Sequence, residues 1–223
     1  MEQTRRTLIC AVALAPLAAC VGTGLTYSLE DGLRRLLELS SQRAFARLLQ
    51  PGGFYDDQLT RIEPPAETGQ GGRSVLGAIL RTNAVRRQLA IGLNDIAVDA
   101  ADRAAPIVLD AVRRMTFADA LALARGGPTA ATDILEREVG DRLVEAMFPE
   151  FSSGLASDLG EILSAAVEAQ TGVNYAALAR AGAGLASRSI FRAIGREEAA
   201  IRADPAATRD RAIIGLLAPA RGL

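Results

Sequence analysis

The polar side chains best suited to chemistry in this sequence are carboxylates, a threonine and an arginine in two segments. Asp110, Thr116 and Asp119 lie in one segment, and Glu198 and Arg202 stand four residues apart in the other. A carboxylate can act as a general acid or base and an arginine can hold an anion, so these residues could form the site of an enzyme. They could equally cap helices and form an ion pair, because residues four apart are neighbours on a helix.

The residue types that are missing exclude several common mechanisms. The chain has no His, all of its 25 basic residues are Arg, and Cys10 and Cys20 are its two cysteines. Without His there is no Ser-His triad and no usual zinc ligand. The Gly-Gln-Gly-Gly run at residues 69–72 lacks the Gly-Lys-Ser/Thr ending of a phosphate-binding loop. We therefore expect no cofactor.

Three carboxylates at helical spacing, Asp95, Asp99 and Asp102, could share one helix face. Such a face could bind a divalent cation. The alternative, which we favour, is a solvated face whose charges are balanced by Arg103 and neighbouring arginines. The whole chain has a formal net charge of −1, which gives no basic surface for nucleic acid. We expect neither a metal nor a nucleic-acid partner.

The N-terminal segment has the pattern of a bacterial lipoprotein signal. Arg5 and Arg6 precede an apolar stretch, residues 7–16, that is too short to span a bilayer. Residues 17–20, Leu-Ala-Ala-Cys, then match the lipobox, in which small residues precede the Cys whose thiol carries the lipid. We predict a cleaved signal over residues 1–19, lipid attachment at Cys20 and a tether over residues 20–27. The alternative is an ordinary secretory signal.

Two details of this segment bear on export and location. Residues 4–8, Thr-Arg-Arg-Thr-Leu, resemble a twin-arginine signal, and the Arg pair also suits the general secretory route, so both routes stay open. Val21 follows the lipobox where retention in the inner membrane would favour Asp. By resemblance to Gram-negative lipoproteins, this indicates the outer membrane, facing the periplasm. The membrane is therefore the first expected partner, through the lipid.

Apolar residues recur at helical spacing through the first half of the mature chain. Ser28 is a suitable N-cap for a first helix that should end at Pro51-Gly52-Gly53. Residues 54–72 read as a long irregular loop, either functional or, as we favour, a packed surface connector. A short helix is expected over residues 74–80 and a long one over residues 85–111. Pro106 should kink that long helix or divide it.

The second half should contain several shorter helices. Thr116 and Asp119 have the spacing of a capping box, which should open a helix that runs to residue 125. A further helix should start at residues 128–129 and close at Pro149, and another should cover residues 155–167. Glycines should interrupt the stretch from residue 172 to 184, and helices should follow over residues 190–201 and after Asp204-Pro205. We find no alternating apolar pattern, so residues 28–223 are expected to form one all-α, bundle-like domain.

A set of local motifs resembles those of one bacterial protein family. The central motifs are Ala105-Pro106-Ile107, Asp110-Ala111-Val112, Met115 to Leu121, Gly126-Gly127 and Ala130-Ala131-Thr132, with Ile190-Phe191, Glu197-Glu198, Ile201-Arg202 and Pro205-Ala206-Ala207 towards the C-terminus. They resemble the family catalogued as domain of unknown function 4197, over nearly all of the mature chain. Ile134 and Leu135 depart from it, because the family usually has an aromatic pair there. The resemblance implies a helical, exported and often lipid-anchored protein, and supplies neither a reaction nor site residues.

Two hypotheses about function follow from these observations. The first is a periplasm-facing lipoprotein that binds an apolar ligand or an envelope protein, or serves the envelope structurally, without catalysis. The second is an enzyme that uses Asp110, Thr116, Asp119, Glu198 and Arg202. An enzyme requires several of these side chains to meet in one cleft. A binding protein predicts an apolar groove or patch, with the polar groups used as caps and ion pairs.

Overall fold

The computed structural model describes residues 28–63, 82–157 and 175–218, and in these ranges every regular element is helical. The elements are α1 (Leu29–Leu48), α2 (Asn83–Arg114), α3 (Ala120–Ala124), α4 (Ala130–Ser157), α5 (Tyr175–Ala203), a 3₁₀ turn (Pro205–Thr208) and α6 (Arg211–Leu217). The expectation of an all-α domain is confirmed. The described part of the chain contains no helix with the length and apolar character needed to cross a membrane.

Helix α1 begins where the sequence predicts it. The Ser28 hydroxyl accepts a hydrogen bond from the Asp31 amide (3.0 Å) and donates one to the Asp31 carboxylate (2.7 Å), which completes a capping box. The Ser28 hydroxyl lowers the pKa of Asp31 below its usual range. The helix ends at Leu48, just before the predicted Pro51-Gly52-Gly53 stop, and Gly52 takes a positive φ of 74°.

Helix α5 is the central element, since it packs against α1, α2 and α4. Between Gly182 and Glu198 its exposed residues are Arg188 and Arg192. The predicted interruption of this stretch by glycines is wrong, because Gly182 lies inside the continuous helix. A Cβ built on Gly182 would lie 2.6 Å from the ring of Phe151, so the glycine allows close packing of α4 and does not break α5.

The prolines at 106 and 149 also lie inside helices, which rules out a division at Pro106 and corrects the expected helix end at Pro149. Helix α2 continues through Pro106 without division, and α4 continues through Pro149 to Ser157 instead of closing there. Fully buried side chains flank each proline, among them Val108 in α2 and Phe151 in α4. A proline inside a helix costs about 3 kcal/mol. Each large apolar side chain that is buried contributes about 1.5–3 kcal/mol, so the packing outweighs that cost.

Two helix starts differ from the sequence-based expectation. Asp119, not Thr116, caps the short helix α3, because its carboxylate accepts from the Ala122 amide at 3.0 Å. Thr116 is exposed, and the neighbouring Phe117 is buried in the core. Asp204 caps the 3₁₀ turn and not the last helix. The last helix, α6, starts later and is capped by Asp210.

Several predictions fall outside the described residues. These are the signal, Cys20 and the tether, the short helix at residues 74–80, the end of the long loop at residues 64–72, and the part of the expected helix beyond residue 157. The start of the loop is described and is well packed, since Phe54 and Ile62 are buried in the core.

Candidate functional site

The five candidate residues do not form one cluster, and among them only Glu198 and Arg202 contact each other. Asp110 forms an ion pair with Arg114 on its own helix, and both side chains are largely exposed. Thr116 is exposed on the turn after α2, and Asp119 caps α3. Glu198 and Arg202 form an ion pair, which is buried. The sequence-based ion pair between Glu198 and Arg202 is thus present, while Asp110 and Asp119 each engage partners of their own.

The Glu198 carboxylate is enclosed by the first turn of α4. The residue is 0% exposed, and its side chain reaches from α5 to the backbone amides at the start of α4. One carboxylate oxygen accepts from the Ala131 amide (3.1 Å), and the other accepts from the Thr132 amide (2.7 Å) and the Thr132 hydroxyl (2.6 Å). The first amides of a helix have no partner inside the helix and favour an anion. Glu198 therefore supplies from another helix the cap that α4 needs.

Arg202 completes the network on the opposite side. Its guanidinium bonds the first Glu198 oxygen at 2.7–2.8 Å and donates to the backbone carbonyls of Leu123 (3.0 Å) and Ala124 (2.9 Å). Those carbonyls belong to the end of α3, where helical carbonyls need outside donors. The pair therefore joins the end of α3 and the start of α4 to α5. Gly195, one turn earlier, keeps the approach open, since a Cβ there would lie 3.0 Å from the Thr129 methyl carbon.

A second polar contact, which the sequence analysis did not single out, fixes the loop after α1. The Asn94 side chain accepts from the Ile62 amide (2.9 Å) and donates to the Ile62 carbonyl (2.9 Å) and to the Ala90 carbonyl (2.6 Å). Asn94 is buried, so these bonds satisfy polar groups that have no access to water. The sequence feature that could have revealed this contact is an Asn among the apolar residues that α2 turns towards the core.

The same loop is tied to α5 by the ion pair between Asp57 and Arg196. Glu197, the next residue of α5, binds the exposed Arg47 of α1 at 2.7 Å, so this second ion pair joins α1 to α5. Partial burial acts to raise the pKa of Asp57, but the Arg196 guanidinium and the Leu59 amide bond its carboxylate and hold the pKa below its usual range. These contacts make residues 54–63 a packed connector, as the favoured interpretation of this loop expected.

Asp210 plays two roles at the start of α6. One oxygen accepts from the Ala212 amide (2.9 Å) and the Ile213 amide (3.3 Å), and the other binds Arg35 of α1 at 3.0 Å. Burial acts to raise the pKa of Asp210, but Arg35 and the two amides outweigh it, so the pKa lies below its usual range. The carboxylate also raises the pKa of Arg35. This contact holds α6 on α1.

An open groove between α3 and α4 is a candidate site for binding. It has a volume of about 500 Å³, with Leu123, Ala130 and Ile134 as its apolar lining. Three exposed charged residues also line it, namely Asp133, Glu136 and Arg137. The groove adjoins the Glu198 network, because Ala130 precedes the two amides that Glu198 caps. The fixed geometry of α3 and α4 therefore shapes the groove.

The described residues contain no group of three or more acidic, His or Cys side chains placed to hold a metal ion. Asp99 and Asp102 are exposed on α2, and Arg103 pairs with Glu150 of α4 at 2.6 Å instead of with either of them. The Arg103 contact therefore joins two helices.

Comparison with known proteins gives one match. A family model described as a protein of unknown function (DUF4197) matches residues 26–216. No curated protein and no solved structure matches the chain. The matched range contains every helix of the described structure except the last residue of α6.

Proposed function

The chain belongs to the family of proteins of unknown function DUF4197, and from this premise we propose that it is a lipid-anchored, non-catalytic binding protein of the bacterial envelope. In this proposal residues 1–19 are a cleaved signal and Cys20 carries the lipid. The helical domain then faces the periplasm, attached to the outer membrane. Its task is to contact a partner through the groove between α3 and α4.

The main support for a non-catalytic role is that the Glu198 side chain bonds only to other parts of the fold. Its carboxylate is fully buried and accepts bonds from two helix amides, a hydroxyl and a guanidinium. A general acid or base must reach a substrate proton, directly or through one water. Every contact of Glu198 instead joins parts of the fold. The enzyme hypothesis also needs Asp110 and Asp119 in the same cleft, and these residues serve a surface ion pair and a helix cap.

The groove supports the binding part of the proposal. Its apolar lining lies on two helices that the Glu198–Arg202 pair holds together, so the surface is preformed. It is open and shallow, which suits apolar side chains presented by a partner protein. The two acids and one arginine in the lining favour a partner segment with a basic residue beside its apolar ones.

The sequence supports the anchor. The lipobox ends at Cys20, and the capping box at Ser28 begins the folded domain only eight residues later. Cleavage at the lipobox would therefore leave the helical domain whole.

Fractionation of bacteria that express the complete precursor tests the anchor. We expect the wild-type protein in the outer-membrane fraction and the Cys20→Ala variant in the periplasmic or uncleaved precursor pool. Cys10→Ala is the matched control, because Cys10 lies in the predicted signal and should leave localisation unchanged. Equal fractionation of wild type and Cys20→Ala would overturn the anchor.

The groove is tested separately with Nile red, an uncharged apolar dye. Ile134→Glu replaces an apolar lining side chain with a charged one and should weaken dye binding by about tenfold, because the apolar area that the dye covers is lost. Leu59→Glu, at an exposed position on the loop after α1, is the control and should bind as wild type does. Equal binding by both variants and wild type would remove the groove as the binding site.

A further inference from the structure

Two of the large apolar side chains that are exposed, Leu29 and Ile214, lie at one end of α1. In the described ranges four such residues are exposed, namely Leu29, Leu59, Leu121 and Ile214. Leu29 is the first residue of α1, and Leu121 and Ile214 lie on α3 and α6, which both pack against α1. Leu59 lies on the loop that follows the other end of α1, and the 20 residues of α1 span about 30 Å.

Specific contacts place α6 and the segment before α3 beside the first turns of α1. A Cβ on Gly32 would lie 2.9 Å from the Leu216 Cβ, so α6 crosses α1 one turn after Leu29. Arg35 binds Asp210 at 3.0 Å, and Arg34 donates to the Met115 carbonyl at 3.2 Å, four residues before the Asp119 cap. The outer surface of α6, with Ile214, and the start of α1, with Leu29, therefore belong to one end of the domain.

The charges at this end are mixed. Arg209 and Arg211 are exposed on either side of Asp210, and in the described part of the chain neither forms an ion pair. Glu30 and Asp31 are also exposed at the start of α1. Apolar contact is thus the main attraction that this surface offers, with arginines able to reach phosphate groups.

The length of chain before α1 limits where this surface can be. Eight residue steps separate Cys20 from Ser28, and a fully extended chain of that length spans at most about 29 Å. If the lipid on Cys20 sits in the membrane, the first turn of α1 lies within that distance of the headgroups. The opposite end, with Leu59, can stand a further helix length away.

We propose that Leu29 and Ile214 form a membrane-docking surface that rests on the lipid headgroups beside the anchor. The inference depends on the proposed lipid attachment at Cys20, which supplies the tether. Exposed leucine and isoleucine side chains at the end nearest the membrane gain by insertion into the interfacial region, where apolar burial and arginine–phosphate contacts act together. The domain then has one defined orientation on the membrane.

Fluorescence quenching in vesicles tests the surface in the full acylated protein. Cys20 is blocked by its lipid, so a single new cysteine can carry an environment-sensitive nitrobenzoxadiazole label at Ile214→Cys. Leu59→Cys is the matched control, because Leu59 is 40% exposed, compared with 37% for Ile214. The vesicles contain phosphatidylethanolamine, phosphatidylglycerol and a lipid with a shallow nitroxide quencher.

We expect the quencher to reduce emission at position 214 by at least about twofold more than at position 59. Equal quenching at the two positions, in protein shown by mass spectrometry to be acylated, overturns the docking surface and leaves the proposed function standing. Absence of acylation overturns the proposed function, and the docking surface fails with it.

Discussion

Removal of the buried carboxylate at position 198 should reveal how much the fold depends on one side chain. Glu198→Ala leaves the Arg202 guanidinium, two helix amides and the Thr132 hydroxyl without their acceptor in a site that is 0% exposed. Breaking a buried ion pair from one side costs about 3–5 kcal/mol. With a urea m-value of about 2 kcal/mol/M, the unfolding midpoint should fall by about 2 M. Urea unfolding followed by far-ultraviolet circular dichroism measures this directly.

Two comparisons make the result specific. Glu138→Ala removes an exposed carboxylate from α4 and should change the free energy of unfolding by less than about 0.5 kcal/mol. In the double variant Glu198→Ala/Arg202→Ala the cost should be smaller than the sum of the single costs, with a coupling of about 0.5–3 kcal/mol. If Glu198→Ala lowers the free energy of unfolding no more than Glu138→Ala does, the structural role of the network is refuted.

Three further predictions address packing, the loop and pH. Gly182→Ala should destabilise the protein by about 1–3 kcal/mol, because its Cβ would press on a buried aromatic ring, whereas Gly215→Ala, with nothing within 4 Å, should be neutral or stabilise by up to about 1 kcal/mol in thermal unfolding. Asn94→Ala should lower the free energy of unfolding by about 2 kcal/mol and speed hydrogen exchange of the Ile62 amide, which loses its acceptor. Unchanged exchange would contradict the structural role of the contact between Asn94 and Ile62. The pKa of Asp57 is lowered in the folded protein, so its contribution to stability is present above its unfolded pKa of about 3.9 and is lost as the pH falls through the lower, folded value. The stability difference between wild type and Asp57→Asn should therefore shrink as the pH falls below about 4, and a constant difference would count against that ion pair.

Local sequence signals predicted the ends of a helix well where residues close in sequence determine them. Ser28 begins α1, and the Pro51-Gly52 segment follows its end. The signals misled where packing from other helices overrides them. Pro149 lies within α4 because buried neighbours hold the helix on both sides. Gly182 lies within α5 because close contact with Phe151 requires a residue without a side chain.

The candidate site was predictable in part. The spacing of Glu198 and Arg202 on one helix predicted their ion pair, and the pair is present. What spacing could not reveal is that the carboxylate caps α4, because its partners lie 66 and 67 positions away in the sequence. The same limit applies to Asn94, whose bonds to Ile62 span 32 positions. Contacts of this kind depend on how the helices cross.

The most direct test of the proposed envelope lipoprotein is the intact mass of the protein purified from bacterial membranes. We predict a chain that begins at Cys20 and carries a thioether-linked diacylglycerol, with the signal over residues 1–19 removed. A chain that begins at Met1, that is cleaved at another position, or that has a free thiol at Cys20 would contradict the account.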